Sequence, residues 1–377
     1  MRLAALALSS LLVIAACERQ SGGAPAEPAE PVNEVQVIAS DELAGLAASA
    51  TGIAFWTHPN VAFNGLMIVA SADGVVGYNI EDGSEVSRLP GVDAQGVAVS
   101  YFGFGPQARG LLAYFDQEAS AFKIHAVDNA SRTFQPVEGE IPIRGAVRGF
   151  CFGRALGAHS PSLHVVQRNT LTTYAFSAEN SVVTASADIG VSIPNDARAC
   201  AVNEKDGTVL LVRENGRVHP MEEDGPGAPL LIGALSETGD AAVLLSRNGD
   251  EDAPSVQGQI VMLDRATGKL HVYDSESGEA IGVATIILND EGDALDAAEV
   301  MGAASANLGG LYRNGAIALG LAPTEDGGEA SIRLIPVNGL INALDLTVSE
   351  PLSPRGDAPE PEDNGLLIET NFELDTD

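Results

Sequence analysis

Apolar residues along this chain come in short runs parted by polar turns, and the arrangement recurs. The recurring pieces are GLMIVASADGVVGYNI from Gly65, GLLAYFDQEASAFKIHAV from Gly110, SLHVVQRNTLTTYAF from Ser162, GTVLLVRENGRVHPM from Gly207, GQIVMLDRATGKLHVY from Gly258 and GAIALGLAPTEDGGEASIRLIPV from Gly315. Their starts lie about 50 residues apart. Each reads as two strands around a turn, with the turn residues Ala72-Asp73-Gly74, Glu214-Asn215-Gly216 and Ala266-Thr267-Gly268 where a hairpin needs them. A shorter run precedes each hairpin and begins with a small residue: Gly52, Gly96, Gly149, Ala199, Ala242 and Ala298. Small residues belong where strands of several repeats crowd around one axis. A further β-rich run follows each hairpin. Four strands per repeat, six times over residues 34–352, predict an all-β fold, a six-bladed β-propeller of four-stranded blades. Two β-sandwiches would leave the six copies unexplained, and no stretch holds a helical apolar period. Val35 to Ile38 is the expected outer strand that closes the last blade.

The chain ends read differently. Met1-Arg2 and the apolar run Leu3 to Ala16 form a signal-peptide pattern over residues 1–16, too short to span a bilayer comfortably. Val13-Ile14-Ala15-Ala16-Cys17 resembles a bacterial lipobox, which makes Cys17 the expected lipidation site and the lipid membrane an expected partner. Glu18 after the Cys, in place of Asp, implies an exported lipoprotein of the outer membrane. Residues 17–33 are rich in Pro, Gly, Ala and Glu and are expected to be a disordered tether. Residues 353–377 read as an acidic, mostly solvated tail in which only Leu366-Leu367-Ile368 could dock. The 52 acidic residues outnumber the 20 basic ones, for a net charge of -32. Such a surface repels phosphate backbones, so nucleic-acid binding is excluded. With 45% hydrophobic residues the chain can still build a large core. A monomer is expected.

Collinear motifs in every repeat resemble the β-propeller phytases over about residues 34 to 345. TGIAFWTHPNVAFNGLMIVASADGVVGYNIEDGSEVSRLPG resembles that family's first blade. GVDAQGVAVSY, VRGFCFGRA, DARACAVNEKDGTVLLVRENG and NLGGLYRNGAIAL resemble later family motifs in order. The resemblance implies Ca²⁺-dependent hydrolysis of the phosphomonoesters of an inositol phosphate, with calcium as cofactor, held by carboxylates because Ca²⁺ takes oxygen ligands. At the matching positions this sequence carries Thr51, Gly52, Ala98, Arg198, Ala242 and Leu321. Glu214, Asp240, Asp296 and Glu299 are the carboxylates left as candidate metal ligands. The expectation is a phytase-like propeller with a degraded or altered metal site, taking an inositol phosphate or another anionic small molecule. The alternative is a non-catalytic, membrane-anchored binding or scaffold propeller. Arg198 could meet an anion at the channel mouth together with Arg168 and Arg313, or simply pair with an acid such as Asp196.

Other chemistry finds little purchase. The six His residues form no zinc motif. His58 belongs to a structural His-Pro turn. The acidic run Asn289 to Glu299 reads as a solvated loop, since Ala294 stands where an EF-hand needs Gly. Cys151 and Cys200 fall on equivalent inner strands of adjacent blades. Two buried thiols are the expectation and a disulfide the alternative, because inner strands could hold the Cα atoms too far apart.

Overall fold

The structure, a computed structural model, describes residues 33–179, 182–187, 190–233, 235–247, 255–289, 291–323, 328–348 and 350–356. Cys17, the signal, nearly all of the tether and the tail beyond residue 356 lie outside the described residues. Six small sheets stand in a ring. The inner strands are Ala50–Trp56, Ala94–Phe102, Gly149–Gly153, Ala197–Asn203, Thr238–Arg247 and Val300–Ala304, and they define blades 1 to 6. Every inner strand pairs antiparallel with the next strand of its own blade. Each also touches the inner strands of both neighbouring blades, so the ring is continuous. This is a six-bladed β-propeller.

The second strand of each blade is buried on both faces, which explains its unbroken apolar run. Leu66–Ser71 and Ala316–Leu321 are each enclosed from their first residue to their fifth. The small residues that begin the inner runs have the expected cause. A Cβ on Gly52 would lie 2.6 Å from the Cα of Gly96, and one on Gly302 would lie 2.5 Å from the Ile53 carbonyl oxygen. Backbones this close leave no room for larger side chains.

Closure differs from the sequence reading. The outer strand of blade 6 is Asp41–Leu46, antiparallel to Ala330–Pro336 with Asp41 opposite Leu334. The strand Glu34–Ile38 instead adds in parallel to Ala280–Ile287, at the outer edge of blade 5. The apolar period of Asp41–Leu46 is broken by a register shift between Leu43 and Leu46, which hid it in the sequence. Val37, 2% exposed, fills the core of blade 5 beside Leu340. Either way, the N-terminal strands tie the first residues of the propeller to its last blades.

Two further fastenings appear. Cys151 and Cys200 form a disulfide between blades 3 and 4, against the expectation of free thiols. Their Cα atoms lie 5.5 Å apart, within disulfide range, because inner strands converge at this point. The second is the segment that follows blade 6. Glu350–Pro351 pairs with the channel-side edge of Thr238–Arg247. Residues 352–356 then run across the channel to blades 1, 2 and 3. Arg355 is 3% exposed. It donates to the carbonyls of Thr57 and Ala108 and to Asn129 Oδ1, and its guanidinium lies 4.8 Å from the Tyr101 ring and 5.4 Å from the Trp56 ring. The tail boundary drawn at Ser353 therefore moves to beyond Gly356.

Arg355→Ala strips three buried bonds to carbonyls and two ring contacts, and should cost about 3 kcal/mol; the urea midpoint measures it, with no change expected in far-UV circular dichroism. Cys151 and Cys200 are 49 residues apart, so reduction with dithiothreitol should lower unfolding free energy by about 3–4 kcal/mol in the chain-entropy account.

Candidate functional site

All six inner strands run in the same direction. Their starting ends surround the mouth of a central cavity of about 990 Å³. Its opposite end, the floor, is crossed by Leu352, Ser353 and Pro354 of the C-terminal strap. The strap thus crosses one end of the channel, and no such segment crosses the mouth among the described residues. Its wall is lined by small and apolar residues of the inner strands, including Ala98, Phe150, Ala199, Ala242 and Val243.

Charge sits at the two ends of this wall. Around the mouth, blades 3 to 6 contribute Arg148, Arg198, Asp240, Arg265 and Glu299, whereas blades 1 and 2 contribute the neutral Thr51 and Gln95. Arg148 donates to the carbonyls of Asn195 and Ala197, and Arg265 is bound to Glu237 and Glu299. Asp240 accepts the Met301 N–H at 2.9 Å. Burial pushes its carboxyl up, and the nearby charges of Arg198 and Arg265 oppose that rise. Arg198 has a different position from the rest. Asp196, its anticipated partner, is held by Arg213 through two bonds of 2.8 Å. Among the described residues, no hydrogen bond or ion pair occupies the Arg198 guanidinium, whose charge acts on Asp240 of the neighbouring blade.

Near the floor stands Glu204, just past the inner strand of blade 4. Burial pushes its carboxyl up to about 7, against the pull of the Arg154 guanidinium and backbone N–H. Arg154 is itself 7% exposed. It donates to the carbonyls of Gly103, Ala158 and His159 and to those of Pro354 and Arg355, and so pins the strap.

The structure sorts the candidate residues. Asp240, Glu299 and Arg198 line the pocket. Glu214 is exposed in a turn of blade 4 and Asp296 in the loop before blade 6, so the four candidate carboxylates do not converge. Arg168 is exposed in the turn between the second and third strands of blade 3, on the mouth face but outside the pocket. Arg313 is exposed in the loop after the inner strand of blade 6, at the floor. Neither lines the pocket with Arg198, because sequence position fixed their blades but neither their height along the axis nor their distance from it. Thr51, Gly52, Ala98 and Ala242 line the pocket and offer no carboxylate. Among the described residues no group of three or more His, Cys, Asp and Glu could hold a metal ion. The donor set does not fit a calcium cluster. His58 does hold its turn, its Nδ1 accepting the N–H groups of Asn60 and Val61. Glu204, Arg154 and Arg355 escaped the sequence reading; only the position of Glu204 at the end of an inner run gave a signal.

A six-bladed propeller with an axial pocket crossed by a strap at its floor is the class that this geometry defines. No protein-family model matches the chain, and no curated protein matches it in sequence. Among solved structures it is similar to the structure of U3-55K, with 11% sequence identity over 79% of this chain and 99% of that chain and a TM-score of 0.45.

Glu204 ties stability to pH. Its carboxyl titrates near 7 in the fold against about 4.5 in the unfolded chain. Folding therefore binds a proton between these values, and the contribution is full below about pH 4.5 and lost as pH rises through 7. Glu204→Gln should flatten urea stability over that window by no more than about 3 kcal/mol relative to the parent. The comparison cancels His164, whose buried ring titrates near 4 and acts in the opposite direction.

Proposed function

We propose that this protein is an exported, membrane-anchored β-propeller, a divergent relative of the β-propeller phytases, whose axial pocket binds a small anionic molecule without hydrolysing it. The observation that carries this reading is Arg198, a cation on the pocket wall at the mouth that forms no hydrogen bond or ion pair among the described residues. An arginine there offers a fork of donors to a phosphate or carboxylate. The ring of oxygen ligands needed to hold several Ca²⁺ ions is replaced by Thr51, Gly52, Ala98 and Ala242, so the phosphate of an inositol phosphate would be met by the guanidinium and not by metal. The apolar wall and the strap across the floor favour a ligand that enters from the mouth with its charged group outermost.

Hydrolysis is the second reading, and one observation favours it. Asp240 is a carboxyl that burial pushes up, positioned near two arginines at the mouth, where it could give a proton to a leaving group.

Titration calorimetry with myo-inositol hexakisphosphate and with inorganic phosphate should show binding that Arg198→Ala weakens about tenfold, the loss of one charge-assisted pair. Phosphate release is measured in parallel, with and without Ca²⁺. No release is expected, and turnover that Asp240→Asn abolishes would replace the binding reading with the hydrolase.

A further inference from the structure

Four large apolar side chains stand exposed among the described residues, and three share one face. Phe63 is 51% exposed in blade 1, Leu156 36% in blade 3 and Leu311 62% in blade 6. Each lies in the loop joining its inner strand to the second strand. Because the inner strands run in one direction, all these loops fall on the floor face. The loops of blades 6 and 1 touch: a Cβ on Gly309 would lie 2.8 Å from the Phe63 Cβ. Blade 2 fills the gap with half-buried Phe104, beneath the Arg154 guanidinium. Blades 6, 1, 2 and 3 are consecutive, so these residues trace one arc. Isolated apolar side chains are ordinary on a surface, but a run of them on one face marks a contact.

Asn33, the first described residue, lies on this side. The Asn33 carbonyl accepts the Val283 N–H at 2.8 Å, in the half of the blade 5 outer strand nearer its start, which is the floor side. Fifteen residues lie between Cys17 and Asn33, a reach of up to about 50 Å when extended. The strap crosses the pocket at the floor, where Leu156 also lines it, so a surface applied to the floor leaves the mouth free.

We infer that the floor face docks on a lipid bilayer of zwitterionic headgroups, with Phe63 and Leu311 inserted at the interface. The inference rests on reading Cys17 as lipidated. Tethering raises the local concentration of the face at the bilayer, so a few side chains suffice where they would not hold a free protein. Arg313, exposed two residues beyond Leu311, supplies a cation at headgroup level. The net charge of -32 opposes anionic lipid, which selects the zwitterionic surface.

The test uses the full lipidated chain in phosphatidylcholine vesicles. Acylation of Cys17 and the Cys151–Cys200 disulfide leave no free thiol among the three Cys residues, so an environment-sensitive fluorophore can be attached singly at Phe63→Cys, Leu311→Cys or, on the mouth face, Arg168→Cys. Probes at 63 and 311 should shift to the blue and be quenched by nitroxide-labelled lipid, while the probe at 168 stays in water. If the chain floats with vesicles and all three probes behave alike, docking is overturned and the anchor stands. If the chain does not float, or floats equally well as Cys17→Ser, the lipidation reading fails, and docking fails with it.

Discussion

A propeller blade can bury both faces only when a neighbour stands on each side, so every blade here depends on the ring being closed. The fully enclosed second strands, such as Leu66–Ser71, have no solvent-facing side to fall back on. Closure is therefore made redundantly. Asp41–Leu46 completes blade 6 from the other end of the chain, Cys151–Cys200 staples blades 3 and 4, and the strap carries blade 5 across to blades 1, 2 and 3. The same convergence forces small residues onto the inner strands, and those residues leave the axial space open as a pocket. Architecture and cavity thus have one cause.

The strap changes the meaning of that cavity. An open channel would present the same wall from two sides, whereas a floor formed by Leu352, Ser353 and Pro354 gives the pocket a direction. Its charges are distributed accordingly. Cations and carboxylates gather at the mouth, and near the floor Glu204 lies against Arg154, the side chain that holds the strap. The buried cation Arg355 is satisfied by carbonyl oxygens and aromatic faces in place of a carboxylate, an arrangement that fixes geometry without a buried ion pair.

How much was legible follows from which interactions are local. The hairpins, their turns and the small residues of the inner strands are written in neighbouring positions, so the blade count and the strand order within blades could be read directly. Which N-terminal strand closes the ring could not, because Asp41–Leu46 shows only two apolar positions around a register shift while Val35 and Val37 alternate cleanly. The inner location of Asp240 and Arg198 was readable from the repeat; the occupation of Asp196 by Arg213 was not, since it depends on the hairpin bringing the two together. Arg355 was the least legible. It sits in an acidic, Pro-rich stretch, and its burial is created by partners from blades 1 and 2.

One of those partners, Thr57, is 298 residues from Arg355 in the sequence. The bond therefore gives the folding reaction an order in time. Blades 1 to 4 can each form from contiguous chain as it emerges, but blade 6 lacks its outer strand until Ala330–Pro336 arrives to meet Asp41–Leu46, and the strap locks only after that. Contacts of such long range form slowly and leave partly assembled rings exposed in the interval. A chain arrested before residue 350 would hold nearly all of its blades and still lack the floor of its pocket, so residues 350–356 decide when the molecule becomes a vessel.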